Sequence, residues 1–198
     1  MSFKEFNKDI KSGVIGSNVF LYGEEGFLTD WAVKTIVENN SSEADRKYVV
    51  TDLDGATVTA QEIVETANTM TMFASTRVLT VKNYSPLVKK SAVTETAPIL
   101  EYLSNPNPST ILLFYLEPLE SPGKKEKLNA FATKVSGVCN TYNFERLNSA
   151  ELKSFVSKRI RAAGKLIGAR DMDYLVDISG YLNNDSEYDL YRMESDLT

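Results

Sequence analysis

The chain has 198 residues, of which 42% are hydrophobic and 25% charged, and a net charge of −5. That balance fits one substantial core, or a domain of about 140 residues with a smaller second unit, and excludes a disordered or fibrous chain and a protein that wraps DNA over its whole surface. With no histidine and one cysteine, Cys139, it lacks the commonest general base, the commonest metal ligand and any cysteine pair, so neither a metal site nor catalytic residues are expected.

Phe3 to Ile10 reads as a helix, broken by Gly13 to Ser17. A strand-like apolar run, Val19-Phe20-Leu21-Tyr22, leads into Gly23-Glu24-Glu25-Gly26-Phe27-Leu28-Thr29-Asp30, which has the position and outline of a phosphate-binding loop. A working loop of the form G-x-x-x-x-G-K-[ST] points backbone amides at phosphates and adds a lysine for charge and a hydroxyl for magnesium. Here Leu28 takes the place of the last glycine, Thr29 that of the lysine and Asp30 that of the hydroxyl. Glu24, Glu25 and Asp30 would stand beside any phosphate, and at about 4 Å even a solvent-screened like-charge pair costs ~1 kcal/mol. The expectation is a nucleotide-binding scaffold that no longer takes nucleotide, with no cofactor. Taken alone, the segment also reads as an ordinary strand-to-helix turn in which Gly23 and Gly26 supply permissive backbone.

Further strand-like runs follow at Tyr48-Val49-Val50, Val78-Leu79-Thr80-Val81, Ile111 to Leu116, and Val138-Cys139-Asn140-Thr141-Tyr142. Their near-continuous apolar character suits strands buried on both faces, and Cys139 reads as a packed core thiol. Helical patterns fill the gaps: Leu28, Ala32 and Ile36 fall four apart, Thr59 to Glu62 forms a capping box ahead of Ile63, Val64 and Ala67, and Leu128, Phe131, Ala132 and Val135 make an apolar stripe. Alternating strand and helix predicts an α/β fold with a five-stranded parallel sheet flanked by helices.

After about Phe144 the strands stop. Asn148-Ser149-Ala150-Glu151 can cap a helix carrying Leu152, Phe155, Val156 and Ile160 and closed by Gly164. A second helix, Asp171 to Ser179, ends at Gly180 with Met172, Leu175 and Val176 inward. A third pattern, Leu190, Met193 and Leu197, reaches Thr198 without a stop signal. The expected division is residues 1–144 as one domain and 145–198 as a small helical lid, incomplete at its end. No apolar run approaches the ~18 residues that span a bilayer, and Met1-Ser2-Phe3-Lys4-Glu5-Phe6 does not open a signal peptide, so the expected location is the cytoplasm, with no membrane partner.

A parallel sheet opening on a degenerate phosphate loop, followed by a helical lid, is the plan of AAA+ modules, the P-loop NTPase fold. Within it, Leu21-Tyr22-Gly23-Glu24-Glu25 with Phe27-Leu28, then Met70-Thr71-Met72-Phe73-Ala74-Ser75 with Arg77-Val78-Leu79-Thr80-Val81-Lys82-Asn83, resembles the delta subunits of bacterial DNA polymerase III, a clamp-loader family. Leu100 to Pro106, Lys124 to Leu128, Leu147 to Leu152 and Gly164-Lys165-Leu166-Ile167 extend the resemblance over nearly the whole chain.

The resemblance implies a subunit that is not an enzyme by itself. Such a subunit binds the beta sliding clamp and favours its open ring during DNA replication, while other loader subunits (gamma/tau, delta prime) hydrolyse ATP. It also implies a helical collar domain beyond this sequence. The family's clamp grip maps to Met70, Met72 and Phe73, two flexible thioethers and a ring suited to an apolar pocket. From periodicity alone the same three can equally pack beneath the sheet. ATP-hydrolysing relatives end the third strand in a carboxylate pair that holds magnesium; this chain has Lys82 and Asn83 there, and neither can do that work. They also read as the start of a solvated loop.

Lys153, Lys158, Arg159, Arg161 and Lys165 on or beside the first lid helix, and Lys124, Lys125 and Lys127 before another helix, read as solvated faces. Contact with a neighbouring subunit or with primer-template DNA is the functional alternative. Two further readings stay open: a nucleotide-binding AAA+ ATPase or sensor, and a DNA-contacting module using the basic lid face.

Overall fold

In the computed structural model the described residues are 2–69, 75–89, 93–118, 128–183 and 186–197. Met70, Met72, Phe73 and Lys124, Lys125 and Lys127 lie outside them. Five strands form one parallel sheet: β1 (Asn18–Tyr22), β2 (Val50–Asp54), β3 (Arg77–Lys82), β4 (Thr110–Tyr115) and β5 (Asn140–Asn143), in the order β2-β3-β4-β1-β5. β1 lies between β4 and β5, with Phe20 level with Phe114 on one side and Thr141 on the other.

The side chains of the central strands alternate between two cores. Val19, Leu21, Ile111 and Leu113 enter one cluster, while Phe20, Leu79, Val81, Leu112 and Phe114 enter the other. The second cluster lies under α4 (Ala60–Asn68), α5 (Ser85–Val88), α6 (Val93–Ser104) and α7 (Ala130–Val138). The first lies under α1 (Phe3–Ser12) and α2 (Gly26–Asn40) and continues without a break into α8 (Ser149–Ala162), α9 (Ala169–Ser179) and α10 (Leu190–Asp196), through Leu152, Val156, Met172, Val176, Leu190 and Met193. Burying each such side chain contributes roughly 1.5–3 kcal/mol, so the helices after Phe144 are fastened to the sheet by the same core that carries α2.

Local signals set most boundaries. The Thr59 hydroxyl accepts the Glu62 N–H while the Glu62 carboxylate accepts the Thr59 N–H, and Asn148 with Glu151 repeats the arrangement ahead of α8. α9 ends at Gly180 with φ +67°, the left-handed cap expected of glycine.

Two segments differ from expectation. Tyr48 and Val49 belong to a short helical turn, α3 (Arg46–Val49), and β2 begins only at Val50. β2 is an edge strand with Asp52 exposed, so it has no need of a continuous apolar run. Val138 is the half-exposed last residue of α7 and Cys139 its cap, so β5 starts two residues later than the apolar run. Cys139 packs half-buried against the second core, and burial pushes its thiol up to about 12. Among the described residues no helix is long and apolar enough to cross a membrane.

Candidate functional site

The C-terminal ends of β1, β3 and β4 face the loop after β1, at the crevice where ligands bind in open parallel sheets. Gly23 opens this loop with φ +140°, and a Cβ there would lie 2.4 Å from the Phe144 carbonyl oxygen. Only glycine fits, because Tyr22 O accepts the Phe144 N–H at 2.8 Å and Phe144 O accepts the Glu25 N–H at 2.9 Å, binding the loop to the end of β5.

Glu25 then turns inward rather than toward solvent. It is 1% exposed; its Oε2 accepts the Tyr181 hydroxyl at 2.7 Å and its Oε1 the Leu190 N–H at 3.3 Å. Burial pushes this carboxyl above its usual value, against the opposing pull of Tyr181, Leu190 and the nearby Arg146 charge. Arg146 stacks over the Tyr181 ring at 4.4 Å and donates to the carbonyls of Tyr181 and Tyr188, so its guanidinium is already committed. Phe27 wedges between Phe155 and Tyr191, with ring centres 5.5 and 5.3 Å away, and the Tyr191 hydroxyl donates to Asp30. Leu28 is buried in the first core.

Beside the loop lies a cavity of about 370 Å³ whose lining includes Glu24, Glu25, Asp30, Glu117, Asp189 and Arg146. Five carboxylates against one engaged guanidinium make it hostile to a polyphosphate. Thr29, at the lysine position of the loop, is 1% exposed and cannot supply charge. At the end of β3, Lys82 Nζ pairs with Glu117 Oε1 at 2.6 Å, and Asn83 exchanges hydrogen bonds with the same residue, donating to Oε2 at 3.0 Å and accepting the Glu117 N–H at 2.9 Å. The lysine lowers the Glu117 carboxyl and is itself raised by it. Lys82 and Asn83 therefore fasten β3 to the segment after β4 instead of opening a solvated loop.

A family model for the DNA polymerase III delta subunit matches residues 20–138, more than half of the chain. The chain belongs to the DNA polymerase III delta-subunit family. The Bacillus subtilis DNA clamp loader delta protein has a similar structure, with a TM-score of 0.70 at 18% identity over 98% of this chain and 55% of that one. A DNA polymerase III gamma subunit-related protein of Thermotoga maritima follows at a TM-score of 0.50 and 11% identity, over 98% of this chain and 56% of that one. Comparison with curated protein sequences gives no match. The delta-family chain thus has the AAA+-like α/β fold of clamp-loader proteins and spans little more than half the length of these solved relatives.

Met70, Met72 and Phe73, expected from the resemblance to grip the clamp, lie outside the described residues, but the two stems that flank them are described. α4 ends at Asn68, and the Arg77 guanidinium, at the start of β3, donates to the carbonyls of Thr66 at 3.0 Å and Thr69 at 3.5 Å and to Thr51 Oγ1 at 2.7 Å. Asn107 and Thr110 donate to Ala67 O at 3.2 and 2.8 Å. The last carbonyls of α4, where the helix dipole is negative, are so tied to three strands.

On α8 Lys153 pairs with Asp173, and Arg159 pairs with Glu194 at 2.8 Å while lying over Phe155. Lys158, Arg161 and Lys165 are exposed. Sequence reasoning gave no role to Arg77, although it opens a stretch that carries the resemblance, and missed Glu117, Arg146 and Tyr181, because their partners lie far off in sequence.

Proposed function

We propose that this chain serves in a clamp loader as the subunit that binds the beta sliding clamp through Met70, Met72 and Phe73 and favours the open ring, without catalysis of its own. Residues 1–144 are read as the AAA+-like domain and 145–198 as its lid, acting in the cytoplasm beside gamma/tau and delta prime subunits. The observation that carries the reading is the inward Glu25. It fills the phosphate loop from within and locks the loop to α10, so the ancestral nucleotide position is used for structure. The AAA+ ATPase or sensor alternative loses its footing for the same reason.

A wedge needs no chemistry, because a ligand that prefers the open ring shifts its population by differential affinity alone. Three apolar side chains at roughly 1.5–3 kcal/mol each can anchor a stable interface before ordering costs. The fixed stems at Thr66, Ala67, Thr69 and Arg77 keep those costs down. The test is equilibrium binding to purified sliding clamp, with and without ATP and magnesium, beside a Met72→Ala/Phe73→Ala variant. Tight, ATP-independent binding that the variant loses while keeping its fold is expected; equal affinity in the variant would sink the site. A DNA-contacting role for Lys158, Arg161 and Lys165 would instead show as DNA binding that falls steeply with salt.

A further inference from the structure

The cavity beside the phosphate-loop remnant has the wrong charge for a nucleotide and the right one for a cation. Its carboxylates are not all in use. Glu25 serves Tyr181 and Leu190, Glu117 serves Lys82 and Asn83, and Asp30 takes the Tyr191 hydroxyl. Asp189 spends Oδ1 on capping α10 through the Arg192 N–H at 2.9 Å. Among the described residues Asp189 Oδ2 and both oxygens of Glu24 accept no hydrogen bond and join no ion pair. Among the described residues Arg146 is the only cation on the lining, and it donates from its guanidinium to the Tyr181 and Tyr188 carbonyls.

An independent sign comes from Thr29, on the lining of the same cavity. It is 1% exposed, and its Oγ1 has no hydrogen-bond partner. A hydroxyl taken out of water and left unpaired is a cost that folded proteins seldom carry without a ligand or water to relieve it. A cation bearing N–H donors meets both needs, giving hydrogen bonds to the hydroxyl and charge to the free carboxylates. A metal ion fits less well, because among the described residues no group of three or more acidic or cysteine side chains is arranged to hold one.

We propose that this cavity binds an alkylammonium or guanidinium group, with Glu24 and Asp189 supplying the charge and Thr29 Oγ1 accepting an N–H. The volume, about 370 Å³, is within the range of small-ligand pockets. Two sources present this chemistry: a free polyamine, and an arginine or lysine side chain reaching in from a partner protein. The inference uses none of the proposed clamp-binding residues, so it stands or falls separately from the clamp reading.

The experiment is calorimetric titration of the full-length protein with spermidine, with an amide-capped Gly-Arg-Gly tripeptide and with magnesium, at low salt. The same titrations are run on Glu24→Gln/Asp189→Asn and on Thr29→Val; asparagine preserves the helix cap at 189. Saturable binding of spermidine or the tripeptide, weakened about tenfold or more in the double variant and measurably in Thr29→Val, is expected. Preference for the tripeptide identifies a partner's side chain as the natural occupant, and preference for spermidine a free polyamine. No binding, binding undiminished in the folded variants, or tighter binding of magnesium than of either amine would overturn the proposal.

Discussion

Tyr181 gives its phenolic hydrogen to the Glu25 carboxylate at 2.7 Å across 156 residues of sequence, and the same phenolic oxygen accepts the Leu147 N–H at 2.9 Å. One side chain thus joins the phosphate-loop remnant, the segment entering α8 and the turn after α9. The oxygen sits between a buried acceptor and a buried donor, so its removal strands both.

Tyr181→Phe keeps the ring and the Arg146 stacking but deletes that oxygen. A hydrogen bond to a charged group is worth about 1.5–3 kcal/mol, and a stranded backbone N–H adds to the loss. The expected destabilisation is about 3 kcal/mol, lowering the Tm of a chain this size by roughly 6–12 °C. Hydrogen exchange localises the effect: the amides of Glu25, Leu147 and Leu190 lose protection ahead of the sheet. Uniform loss across the sheet would show that the bond does not act locally.

The raised carboxyl of Glu25 makes stability depend on pH in a definite direction. The folded state holds the proton to higher pH than the unfolded chain, whose value is near the ordinary 4.5. Between the two values the native protein binds more protons than the unfolded one, so stability falls as pH rises through that window. Below 4.5 the contribution is fully present. Glu25→Gln cannot ionise and loses this dependence, so its stability relative to wild type improves as pH climbs from about 4 towards 7. Urea unfolding of both proteins across that range checks it, and a constant difference at every pH would refute the assignment.

Gly23 tests how tightly the loop is bound to β5. Gly23→Ala must place a Cβ 2.4 Å from Phe144 O at a φ of +140°, in a region side chains rarely enter. Backbone strain of this sort costs of order 1–3 kcal/mol, and the clash adds to it. A loss of about 3 kcal/mol or more in denaturant unfolding is expected. Gly137, whose added Cβ would meet nothing within 4 Å, is the control, and in the last turn of α7 alanine there should stabilise slightly.

The contrast between what could and could not be read in the chain follows contact range. The strands at Val19, Val78 and Ile111, the Thr59 and Asn148 caps and the inward faces of α8 and α9 rest on patterns confined to a few residues, and the structure carries them. Tyr48-Val49 failed because an edge strand needs no apolar run, which left β-branched and aromatic residues free to close a helical turn. Glu24 and Glu25 look identical in sequence. The inward turn of the second depends on Tyr181 and on the Leu190 amide, 165 positions away, which no local pattern contains. Lys82 and Asn83 likewise find Glu117, 34 residues on in the case of the asparagine bond, only once β3 and β4 are paired.

Arg77 links stability to the proposed clamp contact. Its guanidinium spans Thr66 O, Thr69 O and Thr51 Oγ1, so it holds the end of α4 against the edge of the sheet at the two stems of residues 70–75. Arg77→Met keeps the apolar stem of the side chain and removes these bonds. A cost of about 1.5–3 kcal/mol in stability is expected, and Arg77→Lys should recover little, because a single ammonium lacks the fork that reaches separate acceptors. In the wedge reading the loss extends to function. With the stems loosened, ordering the segment is charged to binding, so clamp affinity falls several-fold at a temperature where the variant is still folded, although Arg77 is not among the proposed clamp-contacting residues. Clamp titrations on wild type, Arg77→Met and Arg77→Lys measure this. A variant with lower Tm but undiminished affinity would mean that the geometry of residues 70–75 does not depend on these stems.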